Sequence, residues 1–553
     1  MRPLHLLPTV ALVSSLLFLG CSAGGGDSSG TGGGLVGTGG VTDSSVGGKN
    51  GNNKSDKAPP LPGGGGDGGA GGLTSTTTTN SDTTTPAGGA GGAGGAGGAG
   101  GSTGTGGAGA GAPVMCEPTS SETTFYLSSD DSTSMGSPAI AREYLRAGMA
   151  PPTDLIRIYE FLNYYRVRYP VPENGELGLH AHMTQTPDKL YHLQIGVQAF
   201  AVKRPTLALT FVADTSGSLV GEGMAREKAA LHAMAAQLQA GDHVNFVTWS
   251  TKDAVQLQDH VATGPNDAAV LATIEKLMPG GGSDLHSGLT KAYELAGQTA
   301  APDRLSRVVL LSDGGANIGV LDTDVIANAT KKGDEQGIYL IGIGIGPAQA
   351  YSDDLMNKVT DAGRGAYVFL DSQEEAERVL GQRFDEVMDV AARAVSVAVT
   401  LPSYLGFQQF FGEQMSTAAT DVQPQHLAPG DSMMFNQVLK IAPGSSYCGE
   451  DVVRVGVTWQ SPFLHDANKT VHSPEPLSFR FADIMNQPAQ ALRAEAITLY
   501  AKALQTRAKA DFDAADEALA KVKERGVPGA YPEEVTEIDK LLHAFPATQM
   551  LGN

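Results

Sequence analysis

The middle of the chain predicts an α/β fold: a doubly wound, mostly parallel sheet over residues 205–390, flanked by an antiparallel β-sandwich and terminal helices. Three observations lead there. Between Thr206 and about Met388, five apolar runs ("TLALTFVAD", "HVNFVTWS", "RVVLLSD", "IYLIGIGIG" and "AYVFLD") alternate with stretches of helical spacing. Continuous apolar strands separated by helices describe a parallel sheet covered on both faces. Beyond Ala391 the period returns to two: Val395, Val397 and Val399 alternate with smaller or polar residues, as do Val453, Val455, Val457 and Trp459, which with Met433 to Ile441 suits a sandwich. Finally, Leu492, Ala496, Leu499 and Ala503 fall at spacings of four and three, so the end is helical.

Taken from the beginning, residues 1–21 form a secretory signal: Arg2, an apolar core from Leu6 to Leu19, then Gly20-Cys21. The core is too short, and wrongly flanked, for a spanning helix. The small residue before Cys21 resembles the cleavage and lipidation box of bacterial lipoproteins, which implies acylation of Cys21 and a membrane lipid anchor; an ordinary cleaved signal is the alternative. Ser22 follows in place of an aspartate, so the resemblance implies an outer-membrane or cell-surface destination.

Residues 22–115 are Gly, Ser and Thr with almost nothing apolar, including "GGAGGAGGAGGAGG". Such a segment cannot offset its chain entropy by burial, so it is expected to be a disordered tether, spanning roughly 50 to 60 Å root-mean-square. Order is expected from 122–204. There "PAIAREYLRAGMAPPTDLIRIYEFLNYYRVRYPVP" predicts two short helices, the first carrying Ile140, Tyr144 and Leu145 and the second opened by Pro151-Pro152 at Thr153. Leu193, Ile195 and Val197 then alternate with Gln194, Gly196 and Gln198 as a half-buried strand, expected to join the sandwich.

Within 205–390 the helix after the first strand places Leu231, Met234 and Leu238 on one face, and further helices fit near Leu285 to Ala296, Asp322 to Lys331, Asp353 to Ala362 and Gln373 to Val390. The sandwich occupies 391–485. A helical region, 486–553, closes the chain with a second helix from about Asp511 to Arg525 and a short third after Pro532.

Net charge is -21, from 59 acidic against 38 basic residues, which opposes binding to nucleic acid or to an anionic lipid surface by general electrostatics. If Cys21 carries lipid, Cys116 and Cys448 remain; they can pair in an oxidising compartment or stand as isolated thiols, and nothing in their spacing decides.

The chemistry gathers at strand ends. "TLALTFVAD" climbs to Asp214 and gives way to Ser216 and Ser218; "GGGSDLHSGL" offers Ser283 before a helix; "RVVLLSD" closes on Asp313. In an open α/β sheet, functional groups belong at the carboxyl ends of the strands. Hydroxyls and carboxylates from three loops suit a hard divalent cation that takes octahedral oxygen ligands and keeps water in its shell.

These residues resemble the metal-ion-dependent adhesion site of the von Willebrand factor A (vWA) domain family, with its Asp-x-Ser-x-Ser, later Thr and later Asp. Asp214, Ser216 and Ser218 match the triplet, Ser283 stands where the family has Thr, and Asp313 matches the last carboxylate. The resemblance implies direct contact of Ser216, Ser218 and Ser283 with Mg²⁺ (Mn²⁺ or Ca²⁺ as alternatives), water-linked contact of Asp214 and Asp313, and one position left for a carboxylate on a partner. Ser for Thr keeps the hydroxyl and loses the methyl that restricts its rotamer. The segment ending "YEFLNYYRVRYPVP" is similar to the N-terminal part of bacterial lipoproteins of this family, and the likeness covers about 122 to 545, departing at Leu219, where many relatives have Met, and in "SDDSTSM".

Several sharper alternatives are weaker. Asp284 is expected to cap the helix after it rather than join a metal shell. His180 and His182 share a strand face without a third ligand at zinc spacing, and His232 sits in an apolar helix. "DTSGSL" lacks the Gly-x-Ser-x-Gly elbow of a serine hydrolase, and "IGIGIGP" has neither dinucleotide-loop spacing nor a phosphate-loop Lys. The expectation is therefore a non-enzymatic, lipid-anchored envelope protein that recognises an Asp or Glu on a protein partner through a bound metal. An assembly module using metal for stability is the alternative, and a metal-dependent hydrolase the weakest.

Overall fold

The computed structural model describes residues 116–551, except 131–132, 174, 187, 318, 321, 323–327, 329–336, 463–470 and 527–530. The expected signal with Cys21, the tether, and nearly all of the helix near Asp322 to Lys331 lie outside the described residues. No described helix is long and apolar enough to cross a membrane.

The chain enters through strand β1 (Glu122–Ser128), helix α1 (Gly136–Arg146), a 3-10 turn at Thr153–Leu155 and helix α2 (Ile158–Tyr164). The helix expected to open at Thr153 is thus only that turn, because Ile156 and Arg157 are extended and restart the helix at Ile158. Strands β2 (Gly178–Gln185) and β3 (Tyr191–Gln198) follow as an antiparallel pair.

The α/β part holds β4 (Thr206–Asp214), helix α3 (Glu222–Ala235), β5 (His243–Trp249), β6 (Asp253–Val261), α4 (Ala268–Glu275), α5 (Leu285–Thr299), β7 (Arg304–Ser312), β8 (Ile338–Gly344), α6 (Asp353–Gly363) and β9 (Tyr367–Phe369). Its sheet runs β6-β5-β4-β7-β8-β9, parallel throughout except for β6 at one edge. Leu285, Leu289 and Ala292 of α5 and Met356 and Val359 of α6 cover one face, against Val212, Val308 and Leu310. Ala230, Leu231 and Met234 of α3 cover the other, against Leu209, Phe211 and Phe246. Chain order reverses between β4 and β7, so the carboxyl ends of these neighbours form the crevice where doubly wound sheets place their sites.

Past a helical stretch at 373–388, strands β10 (Ala392–Pro402), β11 (Leu405–Phe410), β12 (Gln414–Ser416), β13 (Gln425–Leu427), β14 (Ser432–Ile441), β15 (Val452–Gln460), β16 (Val471–His472) and β17 (Leu477–Arg480) build two antiparallel sheets. One has the path β12-β1-β10-β15-β16, with β13 on β10 and β17 on β15; the other runs β11-β14-β3-β2. Val397, Val399, Val453 and Val455 of the first meet Leu193, Ile195 and Phe435 of the second in one apolar core, so period-two burial makes a two-layer sandwich. Cys116 and Cys448 are disulfide-bonded across 332 residues of sequence, fastening the start of the described chain to this sandwich.

Helices α7 (Ala489–Thr506), α8 (Lys509–Arg525) and α9 (Pro532–Ala544) pack on the core that also holds α2 and α3. Arg142 of α1, almost fully buried, links these parts by ion pairs to Asp371 at 2.6 Å, Glu375 at 2.9 Å and Glu537 of α9 at 2.7 Å. A buried guanidinium is tolerated only when its donors are met, and here three carboxylates from two regions meet it.

Candidate metal centre

Strand β4 is buried along its length after Thr206, which forces its last side chain, Asp214, into the interior just where the chain must turn. Asp214 is fully buried: its Oδ1 accepts the backbone N–H of Ser216 at 2.8 Å, and its Oδ2 accepts the Ser312 hydroxyl at 2.9 Å. Ser312 is the last residue of β7, so the carboxylate bridges the two central strands. Burial is the main cause that pushes the Asp214 carboxyl up to about 7, with hydrogen bonds from Ser216 and Ser312 opposing and the charge of Asp313 adding to it.

After Asp214 the chain forms a 3-10 turn, Gly217–Leu219, pinned by Leu219, which is buried under the start of α3. The turn brings the Ser216 and Ser218 hydroxyls to 2.9 Å from each other. Two neighbouring ligands of an octahedral cation at 2.0–2.1 Å lie about 2.9 Å apart, so this pair already has the separation a Mg²⁺-sized ion requires. Ser216 is buried, whereas Ser218 is exposed.

The loop carrying Ser283 is tied to this turn. Gly280 N–H donates to the Thr215 carbonyl at 2.8 Å, and Gly217 N–H to the Gly281 carbonyl at 3.2 Å. Gly281 has φ +89, and a Cβ there would stand 2.7 Å from Thr251 Oγ1, so this crossing needs glycine. Ser283, 2 % exposed, donates its backbone N–H to Asn317 Oδ1 at 2.9 Å, while Asn317 N–H returns to the Ser283 carbonyl at 3.0 Å. The segment after β7 is thereby tied to the Ser283 loop. Asp313, half-buried, accepts the Gly315 N–H at 2.9 Å. Asp214, Ser216, Ser218, Ser283 and Asp313 thus lie on three cross-bonded loops at one sheet edge, buried at the base and open at Ser218. An all-oxygen donor set with two carboxylates fits a hard divalent cation.

The structure also places residues that sequence reasoning missed. Glu227 of α3 is fully buried beside Asp214. Burial first, then the charge of Asp214, raises its pKa well above the usual range. The signal was there, since Glu227 falls four and seven residues before Leu231 and Met234 on the face expected to be apolar. Ser312 and Asn317, which orient Asp214 and the Ser283 loop, carry no motif of their own. Asp284 caps α5 by accepting the Ser287 N–H at 3.1 Å. His180 stacks on Tyr169, His182 bonds Asn486 at 3.0 Å, and His232 bonds Glu275 at 3.0 Å.

Comparison with known proteins agrees with this architecture. Residues 208–382 match the family described as von Willebrand factor type A domain, and residues 114–192 one described as von Willebrand factor. The chain is 26% identical over 278 residues to YfbK, an uncharacterised protein of Escherichia coli K12, covering 48% of each. It is 24% identical over 237 residues to inter-alpha-trypsin inhibitor heavy chain H2 of Mus musculus, covering 41% of this chain and 25% of that one. The matched part therefore spans half or less of these relatives. Among solved structures, a von Willebrand factor type A protein from Catenulispora acidiphila aligns at 14% identity and TM-score 0.43, covering 65% of this chain and 88% of that chain. A manganese-loaded Plasmodium vivax TRAP protein aligns at 12% identity and TM-score 0.28, covering 52% and 98%.

Proposed function

We propose that the protein, whose residues 208–382 match the family described as von Willebrand factor type A domain, recognises a protein partner through a divalent cation held at the edge of its parallel sheet. Ser216, Ser218 and Ser283 would hold the ion directly, and Asp214 and Asp313 mainly through water. Bound there, the ion supplies a positive charge and a coordination position open to an Asp or Glu of the partner. Mg²⁺ suits the 2.9 Å hydroxyl spacing, with Mn²⁺ or Ca²⁺ as alternatives.

The observation that carries this reading is the gradient of burial across the five residues. Asp214, Ser216 and Ser283 are shut away from water, while Ser218 is exposed and Asp313 half-exposed. With neutral hydroxyls as the direct donors, the ion keeps much of its charge and faces solvent, the condition for attracting an outside carboxylate. The Ser216 hydroxyl bonds Ser218 rather than a histidine, and we read the domain as a binding module rather than a hydrolase.

We further propose that the chain is a cell-envelope lipoprotein anchored through Cys21, probed by mass analysis of the mature N-terminus. The function is tested by crosslinking on intact cells with and without chelator, parent against Asp214→Ala. Recovery of an acidic partner should fall with either treatment, and equal recovery in all arms would overturn the proposal. The alternative, an assembly module in which metal serves stability, draws on the Arg142 ion pairs that join α1, the α/β part and α9. On that reading chelation lowers thermal stability and leaves partner recovery unchanged.

A further inference from the structure

Two of the loops that carry the sheet-edge hydroxyls each turn an apolar side chain out into water. Val220, two residues after Ser218, is 68% exposed, and Met278, five before Ser283, is 77% exposed. Among the described residues no other large hydrophobic side chain is as open, Val471 following at 60%. Each of the two follows a leucine fixed in the interior. Leu219 and Leu277 are buried in the same core as Met224 and Leu231 of α3. The fold thus uses the first residue of the Leu-Val and Leu-Met pairs as an anchor and leaves the second to solvent.

The two loops are bonded to each other. The links are Gly280 N–H to the Thr215 carbonyl at 2.8 Å and Gly217 N–H to the Gly281 carbonyl at 3.2 Å. Val220 lies three residues from Gly217 and Met278 two from Gly280, so the cross-bonds hold the segments bearing both side chains. Gly221 and Gly280 add bare backbone beside them: a Cβ at either would meet nothing within 4 Å. The surface next to the pair is therefore open to close approach. Exposed apolar residues scattered singly are normal on a protein. Here the two most exposed of them sit on two cross-bonded loops that present hydroxyls to one ion position.

A carboxylate that meets an exposed cation in open water gains little, because the solvent screens the attraction. Apolar contacts beside it exclude water and strengthen it. Methionine, unbranched and polarisable, also moulds itself to irregular aliphatic shapes. Building on the metal-bridged reading above, we propose that the partner presents its Asp or Glu next to aliphatic side chains. Val220 and Met278 cover those side chains while the carboxylate takes the open position on the ion. An acidic residue in a wholly polar stretch finds the ion and lacks the second contact. The occupant is a protein segment rather than an anionic lipid surface, which the net charge of -21 opposes.

The test uses the full chain in excess Mg²⁺ and three immobilised synthetic peptides with blocked ends: Gly-Leu-Asp-Leu-Gly, Gly-Ser-Asp-Ser-Gly and Gly-Leu-Asn-Leu-Gly. The leucine-flanked Asp peptide is expected to bind about tenfold or more tighter than the serine-flanked one, as burial of one aliphatic side chain provides. It should also bind about tenfold or more tighter than the Asn peptide, which lacks the charge. A double variant, Val220→Ser with Met278→Ser, should take up Mg²⁺ as the parent does, because both side chains are exposed. It should bind the two Asp peptides within a few-fold of each other. Equal binding of the two Asp peptides by the parent, a preference kept by the double variant, or an Asn peptide bound as tightly as its Asp counterpart would each overturn the proposal. Self-association of the parent in sedimentation, lost in the double variant, would assign the pair to a second copy and overturn it as well. Equal binding of both Asp peptides that chelator abolishes overturns this inference alone. Absence of Mg²⁺ uptake, or binding of neither Asp peptide, overturns the metal-bridged reading and this inference with it.

Discussion

Replacing Asp214 by asparagine separates the two tasks of this side chain. The amide oxygen can still accept the Ser216 N–H, and the Ser312 hydroxyl, now an acceptor for Nδ2, can rotate to suit. Local hydrogen bonding survives, at a cost of about 1 kcal/mol or less. The charge does not. Burial holds the native carboxyl up to about 7, so ionising it in the folded, metal-free protein costs on the order of 4 kcal/mol relative to the unfolded chain. The sign follows from linkage: a carboxyl raised in the folded state stabilises below its unfolded pKa, and that stability is lost as pH rises through about 7. Above this pH and in chelator, Asp214→Asn should therefore be as stable as the parent or more so, by up to a few kcal/mol. Metal reverses the order. The parent gains about 2.7 kcal/mol at a hundredfold excess over Kd, while the variant forfeits roughly 2–5 kcal/mol of charge attraction, or about 30- to 4,000-fold in affinity. Thermal unfolding of both proteins with chelator and with excess Mg²⁺ reads the crossing. Equal Mg²⁺ stabilisation of the two, or a chelated variant several kcal/mol weaker than the parent, would refute the reasoning.

Three further outcomes are expected. Ser283→Ala should weaken Mg²⁺ binding by about tenfold or more through loss of one oxygen donor, whereas Ser283→Thr, which restores the hydroxyl with a stiffer rotamer, should bind at least as tightly as the parent; Mg²⁺-dependent shifts in Tm compare them. Reducing the Cys116–Cys448 bond, which closes a loop of more than three hundred residues, should cost about 5–6 kcal/mol in the chain-entropy account, read by urea unfolding with and without reductant. Asp389, pushed up to about 6 chiefly by burial, contributes stability below about pH 4 that is lost through pH 6; Asp389→Asn should remove up to about 3 kcal/mol of that decline, measured by urea unfolding across this range.

The parts of this molecule readable from sequence are those whose signal is local. An apolar run ending in Asp214, with serines two and four positions on, states both a buried strand and the groups at its end, and the same holds for "RVVLLSD". Strand β6 was not anticipated, because at an exposed sheet edge only one side of it meets the core, and its Asp259 takes a φ of +45 that interrupts the alternation. Helix α4, of eight residues, is short enough to pass for a loop flank. The helix expected at Thr153 failed because the double proline opens a 3-10 turn and leaves Ile156 and Arg157 extended. Glu227 was hidden for another reason: its character comes from what surrounds it after folding, namely the loss of water around an acid on an apolar helix face.

The central claim is that the sheet-edge hydroxyls and acids hold a divalent ion that still has room for a partner's carboxylate. Calorimetric titration of Mg²⁺ into the metal-stripped chain tests it most directly. The account predicts one equivalent taken up per chain, with that uptake lost in a chain lacking the Ser216 and Ser218 hydroxyls. Absence of uptake from the parent up to millimolar Mg²⁺, or uptake that survives removal of both hydroxyls, would contradict it.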